Sequence, residues 1–578
     1  MKEFSQSPTL ILIFILGVIF FSQGLNIHGI EYRDDEIFYF NSTKEMFVTG
    51  NYLSPVYFGE NRFQKPILFY WLILISYQIL GVSWLAARLP SVVAASITVA
   101  LTYRMAKEYF HQKTAILSVI ILATTPMFFR HAKNSVPDMM LNMFIVLAVY
   151  WMLQFFKDPS QKRFKYYFFV NCALGFMIKG FAAIVIPFLI LFALVVAQKR
   201  YSLLKSINFP AGLGILVALI LPWFLYMIHL HGQGYLQYML QVETMDRLVT
   251  QGGQNIFLKF MSMIWKNSLF YLQTILSYFA PWSVFGLIAI PLGFRELRKK
   301  TDHREGLLVM LIWFFVVFGF FAVIAHRINH LILILTTPFA ILLSHFFLTS
   351  FDHAHWSLRL LDRARVTLII LILLSGLIGI SFVKVFLLGS SKMWIIVFLS
   401  IFLGSLILSM KNRQPMAAPL ILGIFLILCF SQTALLSQAR LTAHSSLQSF
   451  AQTIRQKAKA TIIIGVGSHD IHEKEFQAYF DQQIVKAASS DDQQTRQWLH
   501  ELLNNPQEVY CLITRRDYER LIDDSFKKNI AVIQQDDMFR RRIKIDKKFF
   551  MALAKLDQKT VKRYFMEDVI LFRKDAHD

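Results

Sequence analysis

Four carboxylates fall within six residues near the start of this chain, in the run Glu31-Tyr32-Arg33-Asp34-Asp35-Glu36. It directly follows an apolar stretch. Carboxylates at a membrane face are costly unless hydrated, paired or functional, so the run reads either as a solvated loop or as a site. A carboxylate there can deprotonate a sugar or phosphate hydroxyl, or bind a metal. Asp35 and Glu36 are the candidates for this role.

Cations follow. Lys65 precedes Pro66, a residue suited to a helix start because its missing N–H costs nothing there. A lysine beside a helix N-terminus is a natural phosphate site, or else a snorkelling side chain. Asp138 follows Pro137 and stands near Arg130, His131 and Lys133; it reads as a second acid or as a helix cap. Lys179-Gly180 marks a turn between two apolar runs. Arg247 can hold a phosphate through two parallel hydrogen bonds, or pair with Glu243 on a helix surface. Arg327, in Arg327-Ile328-Asn329-His330, is a second candidate phosphate clamp. An acid acting as base, beside cations that offset charge on a departing phosphate, suits transfer of a sugar from a lipid phosphate.

These residues need a membrane scaffold to hold them. Of 578 residues, 55% are hydrophobic and only 17% charged, and the apolar residues come in runs long enough to cross a bilayer. Candidate spans lie at about 8–27, 86–106, 113–129, 138–156, 166–178, 180–197, 209–230, 269–293, 306–325, 329–349, 366–388, 392–410 and 416–436. A shorter run, 67–81, is ambiguous. Read as a juxtamembrane helix, it leaves every basic loop on one side, among them Lys157–Lys165, Arg295–Arg304 and Arg359–Arg365. Read as a crossing, it puts them outside. Lysine and arginine accumulate in cytoplasmic loops, so the first reading stands, with about thirteen spans. The +22 net charge has the same origin and gives no case for nucleic-acid binding.

This topology sends 28–85, 130–138, 231–268 and everything after 437 outward, which is periplasmic in a Gram-negative inner membrane. Residues 1–437 then form the membrane domain and 438–578 a soluble one. In the latter, Thr461–Gly467, Glu508–Thr514, Asn529–Ile533 and Val569–Phe572 read as buried strands. Amphipathic stretches at 473–487 and 491–503 lie between them, which suggests an α/β domain. Gly465-Val466-Gly467 lacks the third glycine of a dinucleotide loop. Three cysteines without paired spacing offer neither a redox nor a metal motif. The first apolar run lacks a convincing cleavage site and reads as a retained span.

Taken in order, Asp35-Glu36, Glu45-Met46, Thr49-Gly50-Asn51-Tyr52-Leu53, Phe63-Gln64-Lys65-Pro66 through Tyr70-Trp71, and Ala87-Arg88-Leu89-Pro90-Ser91 form a specific string. It resembles the opening of the bacterial aminoarabinose transferases that modify lipid A, relatives of the protein O-mannosyltransferases in the GT-C class of membrane glycosyltransferases. Ile178-Lys179-Gly180 and Ala280-Pro281-Trp282 resemble later signatures of that family.

The resemblance implies a GT-C-like polytopic helical fold and an inverting transferase. Its donor would be an undecaprenyl-phosphate sugar, and its acceptor lipid A or another envelope glycan among membrane lipids. Asp35 takes the position of the acid at the acceptor, Asp138 that of the second-loop acid, and Lys65 and Arg247 the positions that hold the carrier phosphate. Gln64 stands where the family has a glutamate that contributes to a metal site. No metal ligand is therefore expected there, and a divalent metal remains an alternative with no other cofactor implied. Arg327 replaces a family lysine, and the tyrosine near it has no counterpart in the adjoining sequence. Protein serine or threonine as acceptor is a second reading. A transporter or flippase is a third, disfavoured because the polar residues gather in outer loops rather than at the midplane.

Overall fold

The computed structural model describes residues 8–25, 34–239, 256–298, 302–324 and 327–349, short stretches between 419 and 486, 492–539, and most of 547–574. The chain divides into two compact units. One comprises Met1–Leu25, Thr43–Gly376 and Ser400–Ser431; the other comprises Asn26–Ser42, Leu377–Leu399 and Gln432–Asp578.

The first unit is a helical bundle. Among the described residues, Trp84–Tyr109, Asp138–Lys157, Phe209–Gln237, Arg304–Val323 and Asn329–Thr349 are long and apolar enough to cross a bilayer. The last begins as a 3₁₀ segment, Asn329–Leu335, and continues as helix Thr336–Thr349.

The predicted span 113–129 is broken. Helices Gln112–Ala123 and Pro126–Ala132 meet at 69°. Pro126 has no N–H to continue the ladder. The hydroxyls of Thr124 and Thr125 compensate by donating to the carbonyls of Ile120 (2.6 Å) and Ile121 (2.7 Å). The predicted span 269–293 is likewise two elements, Ile256–Tyr278 and Trp282–Leu297, separated at Ala280-Pro281. Here the buried Trp282 indole donates to Thr124 Oγ1 at 3.0 Å, locking one break to the other. The run at 67–81 forms helix Leu68–Leu80, 13 residues long, well short of a bilayer.

The segment from Asn51 to Asn61 folds against the bundle. Strands β1 (Val56–Tyr57) and β2 (Glu60–Asn61) make a hairpin. Both turn residues, Phe58 and Gly59, have positive φ (52° and 77°), as a type I′ hairpin turn requires. The Glu45 carboxylate accepts from both turn amides, Phe58 N at 2.8 Å and Gly59 N at 3.0 Å. Ser54 Oγ meets His231 Nε2 at 2.8 Å, and Trp223 Nε1 donates to the Leu53 carbonyl at 2.9 Å, docking the loop on helix Phe209–Gln237. That helix breaks at Gly232, where φ is 59°.

In the second unit a five-stranded sheet runs β4-β3-β5-β7-β6, made of Val485–Lys486, Ile462–Val466, Glu508–Thr514, Met566–Lys574 and Ala531–Phe539. β4, β3 and β5 are parallel, while β7 is antiparallel to both β5 and β6. Alternation along β5 sends Tyr510 and Leu512 to one core, with Phe450 and Ile454. It sends Val509, Cys511 and Ile513 to the other, with Leu499 and Leu502 of helix Asp492–Leu503. Covered on both faces, β5 is buried along its whole length.

Candidate active site

At one end of the bundle Asp138 is the first residue of helix Asp138–Lys157, and Pro137, not the aspartate, is the N-cap. The next helix, Arg163–Lys179, runs back antiparallel, so its last residue returns to the first residue of its neighbour. Gly180, with φ 85°, makes the turn that leaves Lys179 there. Lys179 Nζ donates to Asp138 Oδ1 at 2.5 Å. His330, from the 3₁₀ segment, brings Nε2 to 3.4 Å of the same oxygen. The side chains of Asp138, Lys179 and His330 retain only 6%, 10% and 17% of their exposure, so the pair lies just inside the surface. His131 approaches His330 with ring centroids 6.2 Å apart, and its Nδ1 lies 2.8 Å from the Met127 carbonyl.

A buried carboxylate survives only when paired and hydrogen-bonded. Here it is paired with a lysine and an imidazole that come from two other elements. Such a carboxylate can take a proton from a hydroxyl or fix a polar substrate group.

A second cluster surrounds Arg327, an exposed side chain. Asn267, wholly buried, accepts from Arg327 Nε at 2.6 Å. Its own amide donates to the carbonyls of Ala322 (3.0 Å) and Ile324 (2.7 Å), which the end of helix Arg304–Val323 leaves without helical partners. With Nε anchored and the guanidinium 5.9 Å over Phe270, Arg327 is an oriented cation at the surface. Tyr271 adjoins it, its hydroxyl accepting from Ile328 N at 3.3 Å. So a tyrosine does reach this region, from helix Ile256–Tyr278 rather than from the loop.

The first-loop cations cluster as well. Lys65 lies three residues before helix Leu68–Leu80, in a bend, and its Nζ donates to the Gln64 carbonyl at 2.6 Å. Arg62, 8% exposed, donates from Nε to the Tyr70 hydroxyl at 2.9 Å in the first turn of that helix. Gln64 thus sits between two cations, and its carboxamide oxygen is buried with no hydrogen-bond partner among the described residues. No three His, Cys, Asp or Glu side chains converge as metal ligands among those residues. This donor set does not fit a divalent cation.

Asp35 and Glu36 open helix Asp34–Thr49, with Asp35 exposed and Glu36 wholly buried. Both lie in the second compact unit. Arg247, with Glu243, lies outside the described residues.

Sequence reasoning missed Arg62, Asn267 and Tyr271. The spacing of Asn267 and Tyr271, four residues apart and hence on one helix face, was a usable signal. For Arg62 the sequence held none.

This fold has known counterparts. A crystal structure of ArnT from Cupriavidus metallidurans bound to undecaprenyl phosphate superposes with a TM-score of 0.68 over 98% of both chains, at 16% identity. The apo state of the same protein gives 0.67 over 97%. The chain has the GT-C membrane glycosyltransferase fold. Within that fold, residues 64–226 match the family model described as dolichyl-phosphate-mannose-protein mannosyltransferase. This stretch includes Lys65, Asp138 and Lys179.

Among curated relatives, an undecaprenyl phosphate-α-4-amino-4-deoxy-L-arabinose arabinosyl transferase of Proteus mirabilis is 25% identical over 54% of this chain and 55% of its own. A counterpart from Photorhabdus laumondii is 27% identical over 54% and 55%, and an uncharacterized protein of Aquifex aeolicus 28% over 57% and 60%. The match thus spans a little over half the length of these relatives. The resemblance carried by the first-loop string is to this GT-C type, and the chain is a multi-pass membrane protein.

Proposed function

We propose that this protein is an inverting glycosyltransferase that moves a sugar from a polyprenyl phosphate, undecaprenyl phosphate in bacteria, to lipid A or another envelope glycolipid. The observation that carries the proposal is the carboxylate of Asp138, held by Lys179 and His330 at one end of a GT-C bundle. The names of the Proteus and Photorhabdus relatives and the carrier lipid in the Cupriavidus structure support the donor class.

Roles follow the chemistry. Asp35, with Glu36 beside it, takes the proton from the acceptor hydroxyl as its oxygen attacks the anomeric carbon. The sugar–phosphate bond breaks on the opposite face, and configuration inverts. Lys65, Arg327 and Arg247 hold the carrier phosphate and offset the charge it gains. Asp138 fixes the sugar.

The proposed topology has about thirteen spans. The first outer loop and the domain after residue 437 are then periplasmic, with 1–437 as the membrane domain and 438–578 as the soluble α/β domain. Helix Leu68–Leu80 leaves Ile75, Ile79 and Leu80 exposed, which suits a helix resting in the bilayer interface.

The family match at 64–226 favours a second reading, transfer to protein serine or threonine with the same donor class. Purified protein given an undecaprenyl-phosphate sugar and either lipid A or a peptide mixture separates the two. The first reading predicts released undecaprenyl phosphate and a sugar-sized mass gain on lipid A. A gain on peptide alone selects the second, and hydrolysis-free retention of the donor with both acceptors contradicts each.

A further inference from the structure

Polar groups buried in the described spans are mostly satisfied by their own helix. Thr98, Thr102 and Ser344 donate to the carbonyl one turn back at 2.7–2.8 Å. Asn171 does the same to Tyr167 at 2.7 Å, and Asn267 serves two carbonyls and Arg327. Asn142 is different. It is wholly buried in helix Asp138–Lys157, and neither its Nδ2 nor its Oδ1 has a hydrogen-bond partner among the described residues. Among those residues no other carboxamide has both its donor and its acceptor stranded in this way.

An unpaired carboxamide deep in a membrane helix is a liability that leucine, of similar size, would not carry. Its place suggests what it is for. Asn142 is four residues after Asp138, so the two side chains leave the same side of the helix, with Asn142 about 6 Å deeper along the axis. Above it Asp138 is tied to Lys179 and His330.

We propose that Asn142 is a sugar-binding residue. Its carboxamide receives a ring hydroxyl of the transferred sugar when the substrate parts Asp138 from Lys179. A hydroxyl both donates and accepts, which matches an amide offering Oδ1 and Nδ2 together. The carrier phosphate and the lipid chain offer no such donor, so the contact discriminates the sugar-bearing carrier from the bare one. The assignment rests on the sugar-transfer reading.

The test uses full-length protein in detergent, as wild type, Asn142→Leu and Asn142→Ser. Two quantities are measured: the thermal unfolding midpoint, alone and with undecaprenyl phosphate or undecaprenyl phosphate-4-amino-4-deoxy-L-arabinose, and kcat/KM for transfer to lipid A. The expected result is that Asn142→Leu unfolds at or above the wild-type temperature, yet loses at least tenfold in kcat/KM and the extra stabilisation that the sugar-bearing carrier gives over the bare one. Asn142→Ser recovers part of both. Two results overturn the inference: kcat/KM within twofold of wild type for the leucine variant, or a loss of activity that tracks a lowered unfolding temperature. Wild type stabilised by neither carrier and inactive in transfer is a different result, which removes the sugar-transfer reading itself.

Discussion

Asp138 and Lys179 are worth most to each other. Removing one member of a buried ion pair strands the other charge and costs about 3–5 kcal/mol, whereas replacing both with apolar groups is far milder. Lys179→Met is therefore expected to lower the unfolding midpoint in detergent more than the double variant Asp138→Leu/Lys179→Met, and both are expected to lose transfer. If the single and double variants unfold alike, the pair is not the closed unit its 2.5 Å contact describes. At the phosphate end, Lys65→Ala and Arg327→Ala are expected to raise KM for the donor at least tenfold and leave KM for the acceptor within twofold. Kinetics with each substrate varied in turn check this, and an effect confined to the acceptor would remove the phosphate assignment. The separate residues of these clusters were legible in the sequence, but their pairing was not. Asp138 and Lys179 meet because consecutive antiparallel helices return to the same end, whereas His330 arrives from a remote segment whose position no local pattern encodes.

Among the elements, the first-loop hairpin depends on a single carboxylate. Glu45 holds both amides of the Phe58-Gly59 turn, and its loss is expected to cost about 1–3 kcal/mol for the two charge-assisted bonds together, since one is exposed. Glu45→Ala is expected to increase protease cleavage between Ser54 and Asn61 while leaving the bundle folded, with Glu45→Gln intermediate. Unchanged cleavage in Glu45→Ala would show that the turn holds itself. The five helices long enough to cross a bilayer among the described residues each fall on a predicted apolar run, because bilayer crossing demands length and little else. Breaks within runs were harder. At 113–129 and 269–293 the chain stays apolar through the break, and only Pro126 and Pro281 mark it. A hydropathy pattern does not distinguish a proline that kinks a span from one that starts a new helix. Strand β5 was legible to the residue, since Glu508–Thr514 is an apolar run that follows Asn504-Asn505-Pro506 and ends at the charged Arg515-Arg516, and it is buried on both faces. The edge of the sheet is polar and partly exposed, and β6 extends to Phe539, six residues beyond the expected Ile533.

For the whole molecule, the proposed topology puts the candidate acids and cations on the far side of the membrane from the basic loops. A reporter enzyme fused after residue 437 is expected to be active only in the periplasm; cytoplasmic activity would overturn the thirteen-span topology and the placing of the first outer loop with it. Sugar transfer to lipid A with Asp35 as base is put to the test by mass spectrometry of lipid A from a deletion strain complemented with wild type or with Asp35→Asn. The account predicts a sugar-sized mass lost in the deletion, restored by wild type and not by Asp35→Asn at equal membrane expression. Restoration by Asp35→Asn, or lipid A identical in all three strains, would contradict it.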